Sequence, residues 1–441
     1  RENDRSFFDN PKQALSLLPS ILRREVPAPD SPWSQLAAWA KAMGHEADLT
    51  QALTGFHYKN EVAPLPRDLA ARLFKPQGRF FGSVTRFENY RRCPFAYFVQ
   101  YGLHIEKRDE GDMEPLDFGN YLHAGLHQFG SRLTKENRQW RDATDEDIEK
   151  ISGEIAGVLS KKIHYGALHA DGASRYTERA LNETFRRSLK ALRKWSRNSQ
   201  FDTKALEKKF YLHIAGDRDT FTLKGKIDRI DMAGNGVAIY DYKTGTPEAS
   251  LQEVVAGLKL QLLTYLLAVE EEGKGGLLPA ALMYIYLSGD VKNMKAVPPG
   301  SKPPLPDKDS GSGWILDDPD MVKALDSAAG TDNSILPLKF KKDGGLATST
   351  SLLSEEDFRN LLTIVKKNLL KIYRSMEEGH IEIRPVNYNK KIPCTYCPYH
   401  SICHFDPKAE GEGYEYIHLP NKKTLKSNLA EIAAEKEEHH E

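Results

Sequence analysis

The sequence predicts an α/β chain, a mixed β-sheet flanked by helices with an added helical segment in front of it. Three observations carry this expectation. Residues 221–243 hold two strand-like runs joined by a glycine-rich turn. A leucine-rich helical stretch and then a buried apolar strand follow them. Long stretches of helical periodicity precede them.

Residues 1–80 are helically patterned, as in PKQALSLLPSILRREV and WSQLAAWAKAM, and are broken by proline-rich joints. They read as the end of a preceding domain. Residues 83–101, SVTRFENYRRCPFAYFVQY, set aromatic side chains at helical spacing around a Cys-Pro break, and FGNYLHAGLHQFG (118–130) reads as a short helix. From about 144 to 198 charged and apolar residues alternate as on long surface helices. In FTLKGKID, Phe221, Leu223 and Ile227 share one face and Asp228 falls on the other. Gly234-Asn235-Gly236 supplies a hairpin turn, with Asn-Gly accepting positive φ. VAIYDYK then puts Val237, Ile239, Asp241 and Lys243 on one face. Residues 251–269 form a helix and 281–287 a buried strand, whereas 289–335, dense in Pro, Gly, Ser and Asp, reads as a long surface insertion. A helix from about 355 to 377 opens on a Ser354/Asp357 capping box and stops at Gly379. The cysteine-rich stretch follows, and 411–441 is a charged tail.

Composition narrows the function. Lysine plus arginine and aspartate plus glutamate both number 62, so the chain as a whole has no field to attract nucleic acid, and any such partner needs a local basic surface. No stretch approaches the roughly 18 apolar residues of a membrane span, and no signal-peptide pattern opens the chain. A start at Arg1 rather than Met reads as a piece of something longer. Four cysteines are too sparse for a secreted disulfide scaffold, and a reducing cytoplasm fits best.

Asp228 and Asp241 are the chemical centre of this reading. A tight hairpin brings the two carboxylates together, and hard oxygen ligands of this kind hold Mg²⁺ or Mn²⁺. Lys243 shares a face with Asp241 and is placed to orient a water or stabilise a phosphorane-like transition state. Taken alone, D-x-K is more often a pair of surface strand charges. The cysteines form a second group. Cys394-x2-Cys397-x5-Cys403 is a compact ligand loop that lacks one thiolate, and Cys93 is the remaining cysteine. Spacing leaves zinc and a [4Fe–4S] cluster open, because both accept four thiolates.

These segments together resemble the RecB-like branch of the PD-(D/E)XK nucleases, above all the AddB components of AddAB helicase–nucleases. The resemblance rests on GKIDRID, the hairpin, IYDYKTG, Gln261-Leu-Leu-Thr-Tyr265, Gly119-Asn-Tyr-Leu-His123, and the upstream CPFAYF and downstream CTYCPYHSIC segments. It spans about Ser83 to Asp406. It implies a restriction-endonuclease-like nuclease domain over 81–410, with His123, Asp228 and Asp241 as metal ligands and Asp228, Asp241 and Lys243 as the catalytic set. It implies that Gln261 and Tyr265 contact DNA or buttress the site. It also decides the cysteine question for a [4Fe–4S] staple held by Cys93, Cys394, Cys397 and Cys403, structural in role. His127, one turn beyond His123, is read as packing.

The activity so implied is a Mg²⁺-dependent exonuclease that cuts the 5′-ended unwound strand during double-strand-break resection, in a heterodimer with an AddA-like helicase–nuclease partner. No G-x4-G-K-[ST] is present, so no ATP site is expected in this chain. Arg91, Arg92, Lys226 and Arg229, beside the cluster and the acidic site, are the expected strand contacts. The basic run RRSLKALRKWSR (186–197) around Trp195 reads as a solvated helix face more readily than as a phosphate track. Two rival readings are a stand-alone RecB-like exonuclease and a non-catalytic DNA-binding scaffold.

Overall fold

The structure is a computed structural model that describes residues 10–22, 31–57, 60–75, 78–106, 115–162, 172–216, 220–245, 248–273, 275–287, 311–331, 334, 336, 338–342, 344–408 and 413–435. The chain divides into two compact units, residues 1–62 with 400–414, and residues 63–399 with 415–441. In the first, helices α1 (Pro11–Leu22), α2 (Pro32–Ala42) and α3 (Glu46–His57) pack through Leu15, Leu18, Trp33, Leu36 and Leu49. Ser31 caps α2 by accepting from the Ser34 amide, and Pro32 sits in the first turn, where no amide hydrogen is needed.

The second unit carries the sheet. Along the chain it contains α4 (Arg67–Phe74), β1 (Phe81–Gly82), α5 (Val84–Arg92), α6 (Pro94–Tyr97), α7 (Pro115–Lys135), α8 (Asp145–Lys162), α9 (Gly172–Asn198), β2 (Asp202–Ala215), β3 (Thr220–Ala233) and β4 (Gly236–Lys243). There follow α10 (Leu251–Val255), α11 (Gln261–Glu272), β5 (Leu278–Tyr286), β6 (Gly311–Leu316), α12 (Pro319–Leu325), β7 (Leu352–Leu353) and α13 (Glu355–Glu377). The strand order is β1-β3-β4-β5-β6-β7, with β2 also paired to β3. Pairs β2/β3, β3/β4 and β5/β6 are antiparallel, and β1/β3, β4/β5 and β6/β7 are parallel, so the sheet is mixed as the sequence predicts.

Helices cover both faces. On one, α7, α8 and α9 deliver Leu122, Phe129, Ile151, Phe185 and Leu192 against Tyr240, Tyr242 and Met283 of the sheet. On the other, Phe87 of α5 and Tyr373 of α13 each stack on Phe221 of β3 at 24° between ring planes, and Phe80 meets all three edge-on. The Ser354/Asp357 capping box starts α13 as expected, with amide-to-side-chain bonds of 3.0 and 2.9 Å.

Two details differ from the sequence reading. The β3–β4 turn places Gly234, not Asn235, at positive φ (56°), the arrangement in which glycine comes first in a two-residue hairpin loop. The stretch 289–335 is not all surface insertion. Residues 288–310 lie outside the described residues, but GSGWIL is strand β6, with Trp314 and Ile315 buried. Its glycines read as turn residues, yet a Cβ on Gly313 would come 2.1 Å from the Leu282 carbonyl oxygen. They are there to let β6 approach β5.

Candidate active site

The acidic site forms where β3 and β4 part. Their ladder runs from Ala233/Gly236 to Arg229/Tyr240, and the next opposed residues are Asp228 and Asp241. Asp228 replaces the ladder with its side chain: Oδ2 accepts from the Tyr242 amide at 2.8 Å. Both carboxylates are buried. His123, on α7, closes over them. Its Nδ1 lies 3.3 Å from Asp228 Oδ1, and its Nε2 donates to the Tyr242 carbonyl at 2.9 Å. The imidazole is pulled down by burial, but Asp228 and then Asp241 outweigh this and leave it above its ordinary value.

Lys243 and Gln261 complete the opposite side. Lys243 Nζ is 2.5 Å from Asp241 Oδ2 and donates to Gln261 Oε1 at 3.0 Å. Gln261, the first residue of α11, uses its amide nitrogen to donate to Asp241 Oδ1 at 3.0 Å and to the Tyr265 hydroxyl at 2.7 Å. One glutamine thus fixes the spacing of carboxylate and ammonium. Tyr265 is itself buried against Phe210, so it braces the site and does not face a strand. Burial lifts the Asp241 carboxyl to about 6, with Lys243 opposing and Asp228 reinforcing the rise.

Glu88 of α5 is a further support that the sequence does not reveal. Its Oε1 accepts from the Leu260 amide at 2.7 Å, at the start of α11, so a buried carboxylate from the Cys93 segment anchors the helix that carries Gln261. Burial raises its carboxyl above the ordinary value.

A second missed residue is Glu207 of β2. Single ligand atoms of His123, Glu207 and Asp228 all lie within 4.8 Å of one another. Glu207 adopts φ 49°, a strained conformation for a side chain of this kind. The strand turns over there. Leu206 packs on Gly130 of α7, whereas Phe210, which regular alternation would put on the same face, meets Tyr265 of α11. In sequence, LEKKF shows only a charged strand. The cleft so formed encloses ≈540 Å³ and is lined by His123, Glu207, Lys226, Asp228 and Lys243, with His127 and Gly119 on its α7 wall.

The donor set suits a hard divalent cation. Carboxylates of Asp228, Asp241 and Glu207, one imidazole and the Tyr242 carbonyl converge, and the buried Asp241 Oδ2 has the Lys243 ammonium beside it and a lone pair to spare. Cys93, Cys394 and Cys397 also come together. Burial raises the Cys93 thiol to about 11, and proximity to the other two sulfurs adds to the rise. Such thiols are stabilised as thiolates by a bound metal. Cys403 lies in the other unit, on the short helix His400–Cys403.

The expected strand contacts divide. Lys226 is exposed at the cleft and paired with Glu207 at 2.6 Å. Arg92 stays partly exposed, 4.0 Å from Glu88. Arg91 is spent on the scaffold, forked onto Glu415 at 2.8 and 3.0 Å and bonded to the Ala256 carbonyl. Arg229 cannot reach a strand, because it is 1 % exposed, chelates Asp231 at 2.7–3.0 Å and sits among Trp140, Trp195 and Tyr240. Alternation turns residue 229 inward when Asp228 faces the site. The basic run on α9 is a solvated face, as expected: Arg186 and Lys190 meet Glu149, Arg187 meets Glu183, Arg193 meets Asp145, and Trp195 is buried edge-on to Tyr240.

A sheet of this order with carboxylates, lysine and glutamine at the β3/β4 fork defines a nuclease-type fold. The profile of the PD-(D/E)XK nuclease superfamily matches residues 82–404, and the chain belongs to that superfamily. It is similar to proteins named as the AddB component of an ATP-dependent helicase/deoxyribonuclease. That of Desulforamulus reducens is 28 % identical over 99 % of this chain and 39 % of its own length. Those of Pelotomaculum thermopropionicum and Thermoanaerobacter sp. are 27 % and 30 % identical over 98 % and 84 % of this chain, and 39 % and 33 % of their own. The chain therefore spans about two-fifths of the curated relatives it matches. Among the described residues no helix is long and apolar enough to cross a membrane.

Proposed function

We propose that this chain is the nuclease part of an AddB-like protein, a Mg²⁺- or Mn²⁺-dependent deoxyribonuclease that cuts the 5′-ended strand delivered by an AddA-like helicase–nuclease partner during double-strand-break resection. The observation that carries this reading is the joining of His123, Asp228, Asp241 and Lys243 in one cleft, with Gln261 bonded to both Asp241 and Lys243. A scaffold that merely holds DNA has no use for two buried carboxylates beside an ammonium.

In this mechanism His123, Asp228, Asp241 and Glu207 hold the cation, which supplies charge neutralisation at the phosphate and a more acidic water. Lys243 does the remaining electrostatic work. Its ammonium, restrained by Gln261, orients the attacking water and faces the charge that develops on the non-bridging oxygens. The Tyr242 amide keeps Asp228 from rotating out of the site, and Tyr265 and Glu88 keep Gln261 in place. Cys93, Cys394, Cys397 and Cys403 hold a [4Fe–4S] cluster of structural role, tying sequence-distant segments with no electron transfer in hydrolysis.

The test is digestion of single-stranded DNA labelled at either end, by the anaerobically prepared chain with its AddA-like partner. Expected is Mg²⁺-dependent shortening of the 5′-ended strand that EDTA stops. Digestion unaffected by EDTA, or confined to the opposite strand, contradicts the reading.

A further inference from the structure

The β2–β3 ribbon runs on past the acidic site, and its outward face is chemically unusual. Beyond Glu207, Phe210, Leu212, Ile214, Phe221, Leu223 and Ile227 are buried, so the opposite side chains face solvent. The register sets Lys209 across from Lys226, Tyr211 across from Lys224, and His213 across from Thr222. Phe81 of β1 lies beside Thr222 on the same face, exposed, and Tyr211 is 62 % exposed. From Asp228 to Thr222 the strip measures roughly 20 Å at the rise of a strand.

Like charges directly opposed across strands are destabilising, yet Lys209 and Lys226 are so placed, and Glu207 answers only Lys226. Lys209 and Lys224 have no ion-pair partner among the described residues, in contrast to the α9 cations Arg186, Arg187, Lys190 and Arg193, each of which faces a carboxylate. Protection of a free sheet edge accounts for lysines on β2. It does not account for Lys224 and Lys226 on β3, which β2 already covers, or for two exposed aromatic rings.

We propose that this face is a single-stranded DNA track leading into the cleft: Lys226, Lys209 and Lys224 hold successive phosphates, while Tyr211 and Phe81 stack on unpaired bases. The inference rests on the nuclease reading, and it commits to a single strand because duplex DNA offers no free base faces to the rings. Ammonium groups with bare aromatic platforms between them are the chemistry of sequence-tolerant single-strand binding. The track is continuous with the catalytic cleft, since Lys226 lines both.

The experiment is anisotropy of a fluorescein-labelled oligothymidylate with the full chain in EDTA, titrated across a range of KCl, with Mg²⁺-dependent digestion measured in parallel. The double variant Lys209→Ala/Lys224→Ala is expected to lower the slope of log affinity against log salt by about 1.4, at roughly 0.7 per phosphate contact on single strands. Tyr211→Ala is expected to weaken binding about tenfold at unchanged slope, and to leave a blunt duplex unaffected. Lys190→Ala on α9 serves as the control and leaves the slope alone. If the parent digests DNA but both variants bind with unchanged slope and affinity, the track is wrong and the nuclease reading survives. If the variants lose binding while the parent cuts nothing, the track stands and the nuclease reading falls. A parent that neither binds nor cuts overturns both.

Discussion

Asp241→Asn is expected to stabilise the metal-free protein while destroying its activity. Burial holds the Asp241 carboxyl at about 6 against an ordinary 3.8, with Asp228 adding to the rise. That difference opposes the ionised native state by roughly 3 kcal/mol, an order-of-magnitude figure. The sign follows from linkage. The folded protein binds this proton more tightly than the unfolded chain, so stability is complete below about 3.8 and is lost as pH rises through about 6. Asparagine removes the charge and keeps an oxygen for the Gln261 amide. Lys243, one-third exposed, remains hydrated after losing its partner. Urea unfolding in EDTA at pH 8 is therefore expected to show the variant more stable by up to about 3 kcal/mol, and the gap closes by about pH 4. Added Mg²⁺ reverses the order, because only the parent gains binding energy. A variant less stable than the parent at pH 8, or a difference that does not vary with pH, refutes the reasoning.

Other predictions concern the supports. Glu88→Ala leaves the first amide of α11 without its buried partner and is expected to lower stability by about 1–3 kcal/mol and kcat for digestion at little change in KM; Glu88→Gln, which keeps an acceptor, restores part of both. Arg229→Ala strands the buried Asp231 carboxylate and is expected to lower stability by about 3–5 kcal/mol, with the salt dependence of DNA binding unchanged; a lower salt slope would reinstate Arg229 as a strand contact. Cys403→Ala is expected to abolish the iron signal and open the chain to trypsin, since closing a loop of about 300 residues removes several kcal/mol of unfolded-state entropy. Unchanged iron content and digestion pattern contradict the staple.

The sequence made the hairpin, the mixed sheet and the Asp228–Asp241–Lys243 set legible because each depends on local spacing, and β3 and β4 follow one another directly. His123 and Gln261 were reached through resemblance, since helical histidines and glutamines carry no signal of their own. What stayed hidden depends on partners far along the chain. Glu207 enters the site because a left-handed residue turns β2 over, and nothing in LEKKF announces that. Arg229 reads as a cation beside the site until alternation buries it with Asp231. The β6 glycines mimic a turn, because a need for close strand approach and a need for positive φ select the same residue. Glu88 supports α11 from a segment that is distant in sequence.

The most direct measurement of the central claim is degradation of end-labelled single-stranded DNA in Mg²⁺ by the iron-loaded, anaerobically prepared chain and by its Lys243→Ala variant. The structure predicts cleavage by the parent, a loss of at least about a hundredfold in the variant, and equal binding of uncleaved DNA by both in EDTA. Cleavage at the parental rate by Lys243→Ala places the chemistry elsewhere, and a folded, iron-loaded pair that are equally inert with the AddA-like partner present contradicts the nuclease reading itself.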